Sequence, residues 1–176
     1  MNEVLKAIKE RRSIRSFKPD MPPKELLEQI VEAGLYAASG MGQQPVKIIA
    51  ITNKEVRDKL SRANSAVMGM PADRDPFYGG PVVFVVIADK ARPTTYINDG
   101  SLVLGNMLLA AHSLGLGSIW IHRAKEEFET DEWKAFLKDL GIEGEWEGIG
   151  HCVVGYIDGD VPDAKPRKAD RVYWVE

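Results

Sequence analysis

Seven residues near the N-terminus, Arg11-Arg12-Ser13-Ile14-Arg15-Ser16-Phe17, carry three guanidinium groups and two hydroxyls. Guanidinium forks bind carboxylate or phosphate through paired hydrogen bonds, and a hydroxyl between them adds a further donor. The cluster follows a helical pattern, so two readings stand. It is an anion-binding site, or it is a basic solvated helix end at the negative pole of the helix dipole. His122-Arg123, at the end of a strand pattern, is the other candidate for lining a site. His112 and His151 stand alone in apolar surroundings and read as core histidines. Gly40/Gly42, Gly79/Gly80 and Gly115/Gly117 form no GxGxxG between a strand and a helix, which argues against a Rossmann dinucleotide site. No GxSxG elbow, P-loop, HExxH or metal-ligand spacing is present. No catalytic side chain stands out. An anion-binding cluster beside flexible glycine turns instead suits a cofactor with a phosphate handle.

These residues must be positioned by the elements around them. Val4, Leu5 and Ile8 mark the buried face of a first helix that runs to about Arg12. Pro22-Pro23 opens a second, with Leu26, Leu27, Ile30, Val31 and Leu35 as its stripe. It decays into Ala37-Ala38-Ser39-Gly40-Met41-Gly42, a small-residue turn where backbone can approach a ligand closely. Lys47 to Thr52 reads as a strand, and Asn53 as the N-cap of a helix to about Arg62. Residues 65–80 show no clean period. They predict either a loop offering an adaptable Met and aromatic surface, or one tucked onto its own core. Pro81 to Ala88 is a near-continuous apolar run, as in a strand buried on both faces. The helix from about Thr95 to Leu114 is apolar nearly all round, which suits a core or an oligomer interface. Strands follow at Ser118–His122 and Cys152–Ile157, with a helix around Asp131–Leu140 between them. The tail holds Pro162, Pro166 and many charges, then ends in the strand-like Arg171-Val172-Tyr173-Trp174-Val175, which needs a sheet to join.

The chain has 176 residues, the size of a single domain with a real core, and no internal repeat or second domain is evident. Hydrophobic residues make up 44% and charged ones 28%, an ordinary balance for a soluble protein. A net charge of −3 argues against a general nucleic-acid binder. The one cysteine, Cys152, cannot form an intrachain disulfide and reads as a small buried hydrophobe in a strand. No signal layout opens the chain, and the most apolar stretch, Leu102 to Leu116, falls short of the about 20 residues a membrane span needs. The expectation is a cytoplasmic protein.

Four segments, in order, resemble the FMN-dependent nitroreductase family, and the likeness covers nearly the whole chain. Arg11 to Phe17 resembles the family's phosphate-binding motif. Ala37-Ala38-Ser39-Gly40-Met41-Gly42-Gln43-Gln44-Pro45 is similar to its flavin-covering turn. Asp99-Gly100-Ser101 through Ala111, with Leu114 to Ile121, resembles its central interface helix and following strand. Gly155-Tyr156 with Lys165-Pro166-Arg167-Lys168 is like its closing strand and basic tail. The resemblance implies an α+β fold: a mixed β-sheet flanked by helices over residues 1–176, with the C-terminal strand exchanged in a homodimer. It implies two FMN sites at the subunit interface. Arg11, Arg12, Ser13 and Arg15 would hold the phosphate and ribityl chain, with Lys165 and Arg167 adding to that pocket. Ser39, Gly40, Met41 and Gln43 would come from the other subunit. Trp120, Ile121 and His122 would line the opposite face.

Two positions depart from the family pattern. Gly42 stands where Asn is common, and Val46 where Trp is common; the first removes a polar contact near the flavin and the second alters packing. The chain also leaves little room for an inserted lid, so residues 65–80 would have to cover the site. The implied activity is oxidation of NADH or NADPH and reduction of nitroaromatic or quinone-like acceptors, with hydride passing through flavin N5. The same fold also implies alternatives: another substrate (flavin fragmentation, dehalogenation, diketopiperazine oxidation), or a flavin-binding redox sensor without turnover.

Overall fold

In a computed structural model that describes residues 1–71, 73–91 and 94–176, four strands pair into one sheet in the order β1-β2-β4-β3. They are β1 (Val46–Ile51), β2 (Val82–Asp89), β3 (Gly117–Ile121) and β4 (Trp146–Gly155), each antiparallel to its neighbours. The parallel contact is a single-residue bridge, Ser13 to Ser118, on the outer side of β3. Among the described residues six α-helices flank the sheet: α1 (Glu3–Glu10), α2 (Lys24–Leu35), α3 (Lys54–Val67), α4 (Tyr96–Ser113), α5 (Ala124–Phe128) and α6 (Asp131–Asp139).

The near-continuous apolar run becomes β2, and Val82 through Ala88 are fully buried. Successive side chains of a strand point to opposite faces, so the run feeds two cores. Val83, Val85 and Ile87 join Leu60, Phe77, Phe128 and Trp133 on one face. Val82, Phe84, Val86 and Ala88 join Ile30, Leu104, Met107 and Cys152 on the other. Each fully buried aliphatic or aromatic side chain here contributes about 1.5–3 kcal/mol relative to exposure. Cys152 is the small buried hydrophobe its surroundings suggested; burial pushes its thiol up to about 12, against a smaller opposing pull from Arg11.

Local chemistry sets the helix starts. The Asn2 side chain accepts from Leu5 N–H at 2.9 Å, and the expected cap Asn53 accepts from Val56 N–H at 3.0 Å. Beyond that cap the sequence pattern was too short: α3 continues to Val67, because Ser61, Asn64 and Ser65 form a polar but buried face. α5 escaped the sequence reading altogether, being five residues long and started by Arg123 in the left-handed region (φ 82°). It sits directly on β4 where the register shifts between Val86 and Ile87. A Cβ at Gly148 would stand 2.2 Å from the Ala124 carbonyl oxygen, so only glycine admits this approach.

Two expected burials are absent within one chain. Val4, Leu5 and Ile8 of α1 are exposed, as is Leu102 of α4. The strand-like tail forms no strand: residues 158–176 are all exposed, with Tyr173 83% and Trp174 85% accessible. An apolar groove of about 650 Å³ lies between α2 and the free edge of β1, lined by Met21, Leu27, Val31, Leu35, Ala50 and Phe84 among others. Among the described residues no helix is long and apolar enough to cross a membrane.

Candidate functional site

The basic cluster begins where α1 ends. Arg11 N–H caps the helix on the Ala7 carbonyl, and the chain then turns extended. Ile14 donates its N–H to the Ser118 carbonyl at 3.0 Å, and Phe17 bridges Ile157. With Ile14 and Phe17 buried as anchors, Arg11, Arg12 and Ser13 stay half-buried beside β3, and Arg15 is exposed. The Arg12 Nη1 donates to the carbonyls of Lys9 (2.6 Å) and Arg11 (2.8 Å). Arg15 Nη1 donates to the Ser13 carbonyl at 3.3 Å. Arg11 Nη1 and Arg12 Nε are buried donors with no hydrogen-bond partner. Among the described residues none of the three guanidiniums is in an ion pair. Buried polar groups are normally satisfied, and these two cationic donors are not.

The turn at Ser39–Gly42 is a tight one. Met41 (φ 51°), Gly42 (φ 67°) and Gln44 (φ 47°) all lie in the left-handed region, and Met41 is 84% exposed. Asp99 of α4, buried and given no role from the sequence, accepts from Gly40 N–H at 3.1 Å and pairs with the Thr95 hydroxyl at 3.2 Å. Ser39 Oγ accepts from Gln44 N–H at 3.0 Å. The carboxylate therefore fixes a conformation that non-glycine residues adopt only at a cost of about 1–3 kcal/mol each.

Trp120 and Ile121 close the edge strand β3 half-buried, and His122 follows it exposed. Trp120 lies over Gly150, where a Cβ would stand 2.8 Å from the indole nitrogen. Ser118, bridged to Ser13, stands three residues before Ile121, so the basic cluster and this strand end share one edge within about 10 Å.

The other predicted residues do not join them in one chain. Val46, next to the Ser39–Gln43 turn, pairs with Ala88, which pairs with Glu147. Ser13 instead reaches β4 through Ser118 at Val154. From Glu147 to Val154 is roughly 20 Å along the strand, and crossing from β1 to β3 adds three strand spacings, about 14 Å. Lys165 and Arg167 lie on the exposed tail, where Arg167 donates to the Lys165 carbonyl.

The stretch 65–80 resolves into a pinned segment, apart from Ala72, which lies outside the described residues. Asp75 accepts from Arg57 (2.6 Å), the Ser61 hydroxyl (2.7 Å), Phe77 N–H (2.9 Å) and Gly79 N–H (2.7 Å). Phe77 is fully buried with Arg57 over its ring. The tucked reading holds for residues 73–80. Burial works against ionisation of Asp75, but the bonds from Arg57, Ser61 and Gly79 outweigh it and hold the carboxyl below its usual range. A depressed carboxyl pKa stabilises the fold above the unfolded value near 3.8 and loses that contribution as pH falls through the folded value. Asp75→Asn should therefore lower the thermal midpoint at neutral pH, and the gap from the parent should close toward about pH 2. A gap constant with pH would contradict this.

A family model described as the Nitroreductase family matches residues 8–156. A relative in Methanothermobacter thermautotrophicus, provisionally named NADH dehydrogenase/NAD(P)H nitroreductase, is 35% identical over 121 residues, 67% of this chain. The chain spans 60% of that relative's own length. The NADPH-flavin oxidoreductase of Vibrio harveyi is 30% identical over 186 residues, covering 95% of this chain and 70% of that protein. A nitroreductase from Bacteroides fragilis NCTC 9343, solved with bound FMN, superposes with a TM-score of 0.88 at 29% identity over 100% of both chains.

Proposed function

This chain belongs to the nitroreductase family, and from that premise we propose that it is an FMN-dependent, cytoplasmic oxidoreductase. It takes hydride from NADH or NADPH and reduces nitroaromatic or quinone-like acceptors. The observation that carries this reading is the pair of buried, unpartnered donors, Arg11 Nη1 and Arg12 Nε, beside the half-buried Ser13. That donor set fits a phosphate monoester: two cationic forks and a hydroxyl with, among the described residues, no carboxylate in ion-pair contact with the forks. When bound, FMN supplies hydride acceptance and donation at N5.

The chain's own residues do the rest. Arg11, Arg12 and Ser13 hold the phosphate, and Arg15, free to reach inward from the surface, supports the ribityl chain and brings positive charge toward the ring. Such charge favours the reduced, anionic ring without any proton transfer. Trp120, Ile121 and His122 form one wall and exclude water from it. The opposite wall is Ser39, Gly40, Met41 and Gln43 of a second copy, and Lys165 and Arg167 of the tail complete the phosphate pocket.

The homodimer is supported by three features. The two walls lie at opposite ends and edges of one sheet. The α1 stripe and Leu102 leave apolar surface exposed. The tail carries Val172, Tyr173 and Trp174 in the open, while the groove beside β1 offers the apolar bed and free strand edge they lack.

The reading is tested by NADH and NADPH oxidation with a nitroarene and with a quinone, using the FMN-loaded protein. Steady consumption that requires the acceptor is the expected result. Bound flavin that neither nicotinamide reduces would replace the enzyme with a flavin-binding module. Flavin that is reduced but passes nothing to either acceptor would move the substrate to another branch of the fold.

A further inference from the structure

The strand end that carries Trp120, Ile121 and His122 is gripped from three elements, by side chains with no part in the chemistry above. His151, in the middle of β4, turns Nδ1 to the Ile121 carbonyl oxygen at 3.1 Å. Asn64, from α3, donates its Nδ2 to the next carbonyl, that of His122, at 2.8 Å. Glu127, from α5, places Oε2 2.7 Å from His151 Nε2. All three side chains are fully buried, and Phe77 packs against the His151 ring at 5.3 Å between centroids.

The Ile121 partner selects the His151 tautomer. A carbonyl only accepts, so His151 Nδ1 carries a hydrogen. At 2.7 Å the Glu127 carboxyl packs directly against Nε2, and both are buried polar groups with no other hydrogen-bond partner. Held between the Glu127 carboxyl on one side and the Ile121 carbonyl on the other, the imidazole keeps the orientation that reaches Ile121. The ladder between β3 and β4 ends at this point, with Ile121 opposite His151. Side chains take over there from backbone pairing. The next residue, Arg123, sits at φ 82°, a conformation that persists only where its surroundings over-determine it.

Burying a carboxyl against an imidazole is an expensive way to fill space. Apolar residues of similar volume commonly do that as well or better. We propose that Glu127 and His151, together with Asn64, are positioning residues that fix the backbone of residues 121–123 in one conformation, so that this wall meets the flavin in a single geometry. The inference rests on the assignment of Trp120–His122 as one wall of the FMN site.

Three variants test it: Glu127→Gln, the double variant Glu127→Leu with His151→Leu, and Asn64→Leu. The readouts are hydrogen exchange of the amides from 120 to 124 in FMN-free protein, thermal midpoint, and the anaerobic rate of flavin bleaching by NADH. The double variant should keep or raise the midpoint, while exchange at 120–124 rises and bleaching slows, each by about tenfold. Glu127→Gln should keep both within about threefold, because its amide can donate to Nε2 while Nδ1 still holds Ile121. Asn64→Leu frees the His122 carbonyl without touching the pair and should raise exchange at 122–124 even if the double variant fails to fold. Parental exchange and bleaching in the double variant, or parental exchange in Asn64→Leu, would overturn the clamp. Failure of the parent to bind FMN would instead remove the assignment of the wall, since the exchange readout needs no flavin.

Discussion

Arg11→Ala should give a folded chain that purifies without flavin, with the FMN dissociation constant raised about 100-fold, or about 2.7 kcal/mol. The effect is large because the phosphate would lose a charge-assisted donor from a half-buried site, where water replaces it poorly. The fold should barely notice. Arg11 caps α1 through its backbone N–H, which alanine retains, and its buried Nη1 has no protein partner to lose. Arg15→Ala should cost less, about tenfold, because that side chain is exposed and its one hydrogen bond is to the Ser13 carbonyl. Flavin fluorescence titration of both variants, with denaturant unfolding in parallel, checks the order. Arg11→Ala with parental affinity would return the cluster to a solvated helix end.

Removal of residues 159–176 should turn a dimer into a monomer and abolish FMN retention, with the monomer still folded. Among the described residues nothing after Asp158 is hydrogen-bonded to the body, the last tie being Asp158 N–H to the Ser16 carbonyl at 3.1 Å. The tail therefore adds nothing to its own chain's core. Against the groove of a second copy it would bury Val172, Tyr173, Trp174 and Val175, each contributing about 1.5–3 kcal/mol of apolar transfer. Trp174→Ala should weaken dimerisation without abolishing it. Light scattering on size-exclusion chromatography reads both. A parental protein that is already monomeric at high concentration would sink the exchange.

How much of this was legible in the sequence depended on the range over which the signal acts. β2 was plain because a strand buried on both faces must be apolar at every position, from Val82 to Ala88. Asn53 was plain because a cap acts over three residues. The basic cluster and the Ser39–Gly42 turn were each legible as local chemistry, and the ordered resemblance joined them. What stayed hidden acts at long range. Glu127 and His151 are 24 residues apart and meet only through α5 and the β4 register. Asn64 lies past the expected end of its helix, and Asp99 has no role until Gly40 is placed above it. The α1 stripe misled in another way. Its period correctly reports an apolar face, but periodicity carries no label for whose core that face joins.

The deeply buried thiol of Cys152 has a chemical consequence. Burial pushes its pKa up to about 12, so at neutral pH it stays a thiol rather than the nucleophilic thiolate. Partly reduced nitro compounds and quinones are electrophiles that add to thiolates. A catalyst that releases them risks alkylating itself. If this chain turns over such compounds as proposed, its single sulfhydryl, wholly inside the sheet's helix-covered face, offers them no exposed thiol to capture.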